Sequence, residues 1–228
     1  MKIVITGKNG LLSTELQKID KNIIGLCKEE YNIMDTNIIY KLDCLNPDIV
    51  IHAAAITNVN DIKIDPILSI KTNITGTANI SEYCILKKKR LVYISTDYIY
   101  PGIYGNYKET DSILPNNEYA WTKLGGECSV KMVENHLIIR TSFGSDKFPY
   151  KKAWCNQIVS KDYIDIIACK ILNASKSEII GTLNIGTEPK TIYNYALRRN
   201  KNIQKSFLEK NKNFSLNLEK YERLFNNI

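Results

Sequence analysis

Six short apolar runs recur along the chain, at Ile3 to Ile5, Ile23 to Leu26, Ile49 to His52, Leu91 to Ile94, Leu137 to Ile139 and Thr182 to Ile185. They are rich in β-branched residues and short enough to be buried strands, and segments of helical length separate most of them. That alternation predicts an α/β fold with a doubly wound parallel sheet covered by helices on both faces. Helices are expected over Leu11 to Lys18, Asn37 to Leu42, Pro66 to Asn73, Thr77 to Lys87 and Tyr119 to Glu134, with Pro47 marking the turn into the third strand. Pro101 to Asn117 reads as loop, since it holds Pro101, Gly102, Gly105 and Pro115. Beyond Lys190 there are helical stretches and charge without clear alternation.

With 228 residues and 44% hydrophobic content, the chain suits one compact domain, or one large lobe with a small one appended. Its six cysteines are scattered without a C-x-x-C pair, so no zinc site or disulfide framework is expected, and no metal. The apolar run in MKIVITGKNG is too short for a signal peptide or a membrane span, and a cytoplasmic location with no membrane partner follows as the expectation. The net charge of +7 is spread along the chain, dense only over Arg198 to Lys212. No nucleic-acid-binding motif accompanies it, and a basic surface also suits anionic diphosphate ligands.

Gly7-Lys8-Asn9-Gly10 follows the first strand directly and opens a helix, the setting a dinucleotide phosphate loop requires. Gly7 permits the tight turn, and Gly10 lets backbone approach a pyrophosphate at the helix N-terminus. Ser13 stands where the third glycine of the fingerprint falls, and is small enough for close helix–strand packing. After the second strand, where an acid that binds the ribose of NAD is expected, the chain reads Leu26-Cys27-Lys28. Lys28 is either a partner for the 2′-phosphate of NADP or a solvated surface lysine.

A tyrosine and a lysine four apart on a helix put a phenol and an ammonium on one face, a pairing that favours proton exchange with a carbonyl or alcohol oxygen. The spacing occurs three times, at Tyr83 with Lys87, Tyr104 with Lys108, and Tyr119 with Lys123. Tyr119 begins a helix after a long loop, and Ser95-Thr96-Asp97 stands upstream at the C-terminal end of a strand, where open parallel sheets bind ligands. Thr96, Tyr119 and Lys123 are therefore the candidate catalytic set, with Lys123 expected to lower the Tyr119 pKa. His52 reads as a structural histidine, and the cysteines have no activating histidine nearby in sequence.

These blocks resemble the extended short-chain dehydrogenase/reductases, and among them the dTDP-4-dehydrorhamnose reductase family. The resemblance runs through Gly7 to Gly10, Pro47 to Thr57, Tyr93 to Tyr100, Tyr107 to Asp111, Pro115, Tyr119 to Lys123, Gly126-Glu127 and Arg140 to Phe143. It implies a Rossmann core over residues 1–143, and a mixed segment over 144–228 that completes the core and forms a small substrate lobe. It implies Gly10, Leu11 and Leu12 on the pyrophosphate, Asn32 and Ile33 at the adenine, and Ala53, Ala54 and Ala55 along the ribose and nicotinamide. Thr96, Asp97, Tyr98 and Phe143 would meet the sugar. Asn32 stands where the family commonly has Asp, Phe143 where it commonly has Trp, and the stretch from Gly144 to Ser160 is trimmed. The implied activity is NADPH-dependent reduction of a nucleotide-linked 4-keto-6-deoxy sugar in deoxysugar biosynthesis, with NADH as the alternative cofactor. A homodimer is admitted as the assembly. The trimmed lobe keeps open a second reading, a non-catalytic NADP-binding module resembling the regulatory subunit of methionine adenosyltransferase.

Overall fold

The computed structural model describes residues 1–225, so the last three residues of the expected 144–228 segment lie outside the described residues. The strands are β1 (Ile3–Thr6), β2 (Ile24–Leu26), β3 (Ile49–His52), β4 (Arg90–Thr96), β5 (His136–Thr141), β6 (Phe143–Gly144), β7 (Lys152–Trp154), β8 (Gln157–Val159), β9 (Asp162–Tyr163), β10 (Gly181–Ile185), β11 (Lys190–Thr191), β12 (Gln204–Ser206) and β13 (Lys212–Phe214). The helices are α1 (Leu11–Ile19), α2 (Ile38–Leu45), α3 (Val59–Ile64), α4 (Pro66–Ile70), α5 (Gly76–Leu86), α6 (Glu118–Val130), α7 (Ile164–Lys176), α8 (Ile192–Leu197) and α9 (Glu219–Phe225).

All six expected strands fall in one parallel sheet, ordered β10-β5-β4-β3-β1-β2. Its apolar runs lack polar alternation because both faces are covered. Ile3 and Ile5, Ile49 and Ile51, Val92 and Ile94, and Leu137 and Ile139 pack with α1 and α7 on one face. Val4, Val50, Leu91, Tyr93 and Ile138 point the other way, onto α2, α5 and α6. Strand β1 is flanked by β2 on one side and β3 on the other. Successive crossovers therefore diverge at β1 and β3, opening a crevice at their C-terminal ends.

The expected helices over Pro66 to Asn73 and Thr77 to Lys87 are joined. Helix α4 passes through a π turn at Lys71–Thr75 directly into α5. Such one-turn π segments recur at functional sites because they re-aim a side chain, here that of Asn73. The helix expected to reach Glu134 stops at Val130, where Met132 N–H bonds Ser129 O at 3.1 Å and Val133 N–H bonds Val130 O at 3.0 Å, tightening the last turn.

The segment after β5 serves two structures. Strand β10 is an edge of the central sheet and α7 packs on α1. Strands β7, β8, β11, β12 and β13 and helix α8 gather around a separate apolar cluster that includes Ala153, Val159, Ile192 and Phe214. Tyr98 packs against that cluster, its ring edge-on to Phe214 with centroids 4.9 Å apart.

Candidate active site

The crevice begins at the loop after β1. Gly7 has φ of 75°, and a Cβ there would lie 3.0 Å from Ala54 Cα, so only glycine sits comfortably between the two strand ends. Gly10 N–H bonds Gly7 O at 2.8 Å, and no side chain caps α1. Ser13 is buried and donates to Thr6 O at 3.3 Å, holding α1 against β1 as a third glycine would by size alone. The N–H groups of the first turn of α1 are thus left for an anion.

A cavity of about 300 Å³ extends from this loop, walled by Gly7, Gly10 and Ala53 to Ala55 on one side and by Lys28, Asn32 and Ile33 on the other. Leu11 and Leu12 do not wall it. The Leu12 side chain is buried in the core and Leu11 faces outward, so either residue can meet a pyrophosphate only through its backbone. Lys28 is exposed at the rim, and Lys8, which sequence reasoning passed over, joins it there. A two-lysine rim, a positive-φ glycine and an uncapped helix suit an anionic dinucleotide.

Behind the cavity lies a chain of buried hydrogen bonds. Thr6 Oγ1 accepts from the amides of Ala53 at 3.2 Å and Ala54 at 3.1 Å. Its one proton is therefore given to His52 Nδ1, 2.7 Å away. His52 then donates from Nε2 to Thr77 Oγ1 at 3.0 Å, and Thr77 donates to Asn73 O at 2.7 Å. Burial, with Lys123 adding, holds the His52 pKa down to about 3. It is a neutral linker with both nitrogens engaged, in accord with a structural histidine.

Asn73, delivered by the π turn, is a residue that sequence reasoning missed. Its Oδ1 accepts from Ile56 N–H and its Nδ2 donates to Ile56 O, both at 2.8 Å, while Nδ2 also donates to Thr122 Oγ1 at 2.9 Å. Ile56 borders the cavity, and Thr122 lies on α6 between Tyr119 and Lys123. One side chain thus ties the two halves of the site together.

Helix α6 starts where Asn117 Oδ1 caps the N–H of Ala120 at 2.8 Å. It is drawn onto β4 at Gly126, where a Cβ would come within 2.2 Å of Tyr93 Oη. It is held on β5 by Arg140, which forms a fully buried ion pair with Glu127 at 2.9 Å. This docking sets Tyr119 beside Asp97 and Tyr98 at the end of β4, and Lys123 over the Tyr93 ring, 4.0 Å from its centroid. Thr96 Oγ1 donates to Asp97 Oδ1 at 3.2 Å and accepts from Tyr98 N–H at 3.2 Å. Phe143, half-buried, begins β6, which pairs with β9.

The electrostatics correct one expectation. Burial raises the Tyr119 pKa well above that of a free phenol, and the nearby Asp97 and Tyr98 add to the rise. Burial also pulls Lys123 down to about 7, against the pull of Glu127. The i, i+4 spacing alone does not yield a phenolate, because the loss of water on burial disfavours the charged phenol. Tyr119 is held as a protonated phenol, able to give a proton. Asp97 is pushed up to about 7 by burial, opposed by Lys161 and by its bond from Thr96.

Fold and crevice define an open, doubly wound domain of the dinucleotide-binding class. Residues 1–173 match the family described as the RmlD substrate binding domain, and the chain belongs to that family. It is similar to dTDP-4-dehydrorhamnose reductase of Aggregatibacter actinomycetemcomitans, 27% identical over 84% of this chain and 68% of the relative. It is also similar to methionine adenosyltransferase 2 subunit beta of Pongo abelii, 28% identical over 60% of this chain and 44% of the relative. The chain thus spans roughly half to two thirds of these relatives' length. Among solved structures, dTDP-4-dehydrorhamnose reductase of Bacillus anthracis in complex with NADP superposes with a TM-score of 0.86, at 24% identity, over 98% of this chain and 92% of that one. Among the described residues no helix is long and apolar enough to cross a membrane.

Proposed function

We propose that this chain is an NADPH-dependent reductase of a nucleotide-linked 4-keto-6-deoxy sugar, working in the cytoplasm in deoxysugar biosynthesis. The observation that carries this reading is the convergence of Thr96 at the end of β4, and of Asp97 and Tyr98 in the turn that follows it, with Tyr119 on α6, beside a crevice suited to a dinucleotide. Gly7, Gly10 and the backbone of Leu11 and Leu12 hold the pyrophosphate. Asn32 and Ile33 hold the adenine, Lys28 and Lys8 the 2′-phosphate, and Ala53 to Ala55 the remaining ribose and the nicotinamide.

NADPH, when bound, supplies a hydride to C4 of the sugar. Tyr119 donates its proton to the carbonyl oxygen as charge develops there, and Thr96 hydrogen-bonds the same oxygen. Lys123 holds the nicotinamide ribose. Asp97, Tyr98 and Phe143 contact the sugar, and the cluster around Phe214, within residues 144–228, forms the small lobe that covers it. Residues 1–143 form the bulk of the cofactor domain.

The test is to incubate the protein with NADPH and a panel of 4-keto sugar nucleotides while following the loss of NADPH absorbance. The similarity to the methionine adenosyltransferase subunit favours a second reading, a binding module. Tight NADPH binding with no turnover on any member of the panel would select it.

A further inference from the structure

Asp97 Oδ2 is buried and has no hydrogen-bond partner among the described residues, although Oδ1 of the same carboxyl is engaged by Thr96. Leaving a buried carboxyl oxygen without a partner is costly, so such a group marks a position that a ligand atom completes. The cation that faces it comes from elsewhere in the chain. Lys161 precedes β9, whose pairing with β6 brings Gly144 against the lysine stem: a Cβ at Gly144 would sit 3.3 Å from Lys161 Cε. The ammonium lies 5.7 Å from the centroid of the Tyr195 ring and feels the charge of Asp97, but no ion pair joins the two. A buried acceptor and a half-buried cation thus lie within electrostatic reach of each other, and among the described residues neither is closed by a hydrogen bond or ion pair.

One simple group satisfies both. A hydroxyl donates its proton to a carboxylate and accepts from an ammonium, whereas a methyl group or a ketone does only part of this or none. Asp97 is one hydrogen bond from Thr96, the residue assigned to the reacting carbonyl. In a 4-keto-6-deoxy sugar, C5 carries the methyl group, so C3 is the carbonyl neighbour that bears a hydroxyl.

We infer that Asp97 and Lys161 together clamp the C3 hydroxyl of the keto sugar, Asp97 Oδ2 accepting from it and Lys161 Nζ donating to it. This deepens the reductase reading and rests on it. It assigns Lys161 as a specificity residue, and it makes 3-hydroxy sugars the substrate class in preference to 3-deoxy ones. The clamp selects the sugar and takes no part in hydride transfer.

Calorimetric titration of the NADP-loaded protein with dTDP-rhamnose, its 3-deoxy analogue and dTDP alone tests the inference. A hydrogen bond to a charged group is worth a factor of about 10 to 100 in affinity. The parent should bind the 3-deoxy analogue weaker by that factor, and Lys161→Met should weaken dTDP-rhamnose similarly while changing dTDP by less than about 2-fold. Lys161→Met should cost the 3-deoxy analogue little, because the bond is already gone. Lys161→Arg keeps the charge, and serves if the methionine variant fails to fold; its altered reach should still weaken dTDP-rhamnose more than dTDP. Equal losses for sugar nucleotide and dTDP, or equal affinity of the parent for the hydroxy and deoxy sugars, would overturn the clamp alone. A parent that binds dTDP but gains nothing from any sugar would overturn the reductase reading with it.

Discussion

The ammonium of Lys123 rests 4.0 Å from the centre of the Tyr93 ring and, among the described residues, on no carboxylate. The nearest acid along its helix, Glu127, is taken up by Arg140 and by Ser95. Lys123 is therefore a desolvated amine whose charged form is steadied by a π face, while burial raises the Tyr119 phenol. For a reductase this is the useful arrangement, because the phenol must arrive protonated at the carbonyl.

Tyr119→Phe should accordingly lower turnover by ~10²–10⁴-fold, the usual worth of a general acid. Binding of NADPH, followed by fluorescence, should stay within a few-fold of the parent, since the phenol acts on the proton in transit. Turnover within a few-fold of the parent would remove Tyr119 from the mechanism.

NADPH should bind more tightly than NADH, because the rim of the cofactor cavity carries Lys28 and Lys8. Lys28→Ala should weaken NADPH and leave NADH nearly unchanged, with Lys8→Ala acting in the same direction. If both cofactors bind the parent with one affinity, the two lysines are surface charges.

Two buried groups drive stability in opposite directions as pH falls. The pKa of His52 drops from 6.5 to about 3 in the folded protein, so below pH 6.5 the unfolded chain takes up a proton that the native imidazole refuses, and stability is lost. The pKa of Asp97 rises from 3.8 to about 7, so below pH 7 the native state takes up a proton that the unfolded chain does not, and stability is gained. The two contributions should largely cancel between pH 6.5 and pH 5 in the parent. Asp97→Asn should expose the His52 loss, about 2 kcal/mol over that interval, measured by denaturant unfolding at the two pH values. A variant with the parent's flat profile would mean that His52 titrates normally.

The central sheet was legible because its inner strands β1, β3 and β4 are buried on both faces, which leaves a continuous apolar run such as Ile49 to His52 in the sequence. The glycine loop and Tyr119 were legible because their spacing is itself the chemistry. Asn73 was not, since a π turn has no residue signature and Lys71 to Thr75 reads as ordinary helix. Lys8 and Lys161 are two among 31 basic residues, and only the pairing of β6 with β9 separates Lys161 from surface lysines. The strands of the small lobe run two or three residues each, too short to show any period. The direction of the Tyr119 shift was hidden for another reason: spacing reveals a neighbouring lysine but not the loss of water that raises the phenol.

The protein should reduce its sugar without epimerising it. Inverting a carbon next to the ketone requires one group to remove a proton and another to return one on the opposite face, with pKa values near neutrality. The Tyr98 phenol is pushed up to about 12, chiefly by burial with Asp97 adding to it, and its hydroxyl accepts from Gln157 Nε2 at 3.5 Å. Its ring belongs to the cluster around Phe214, so its surroundings are those of a packing residue. A phenol with that pKa is a poor base at neutral pH, and Tyr119, shifted in the same direction, is no better. A 4-keto-6-deoxyglucose nucleotide incubated with the protein in deuterated water should therefore gain no deuterium at C3 or C5 beyond the protein-free control, as followed by NMR. A substrate already epimerised should be reduced. Enzyme-dependent deuterium at C3 would overturn this and point to Asp97, whose pKa of about 7 suits proton abstraction and whose unpartnered oxygen is the one assigned to the C3 hydroxyl. Asp97→Asn would then abolish the incorporation, whereas Tyr98→Phe would leave it intact.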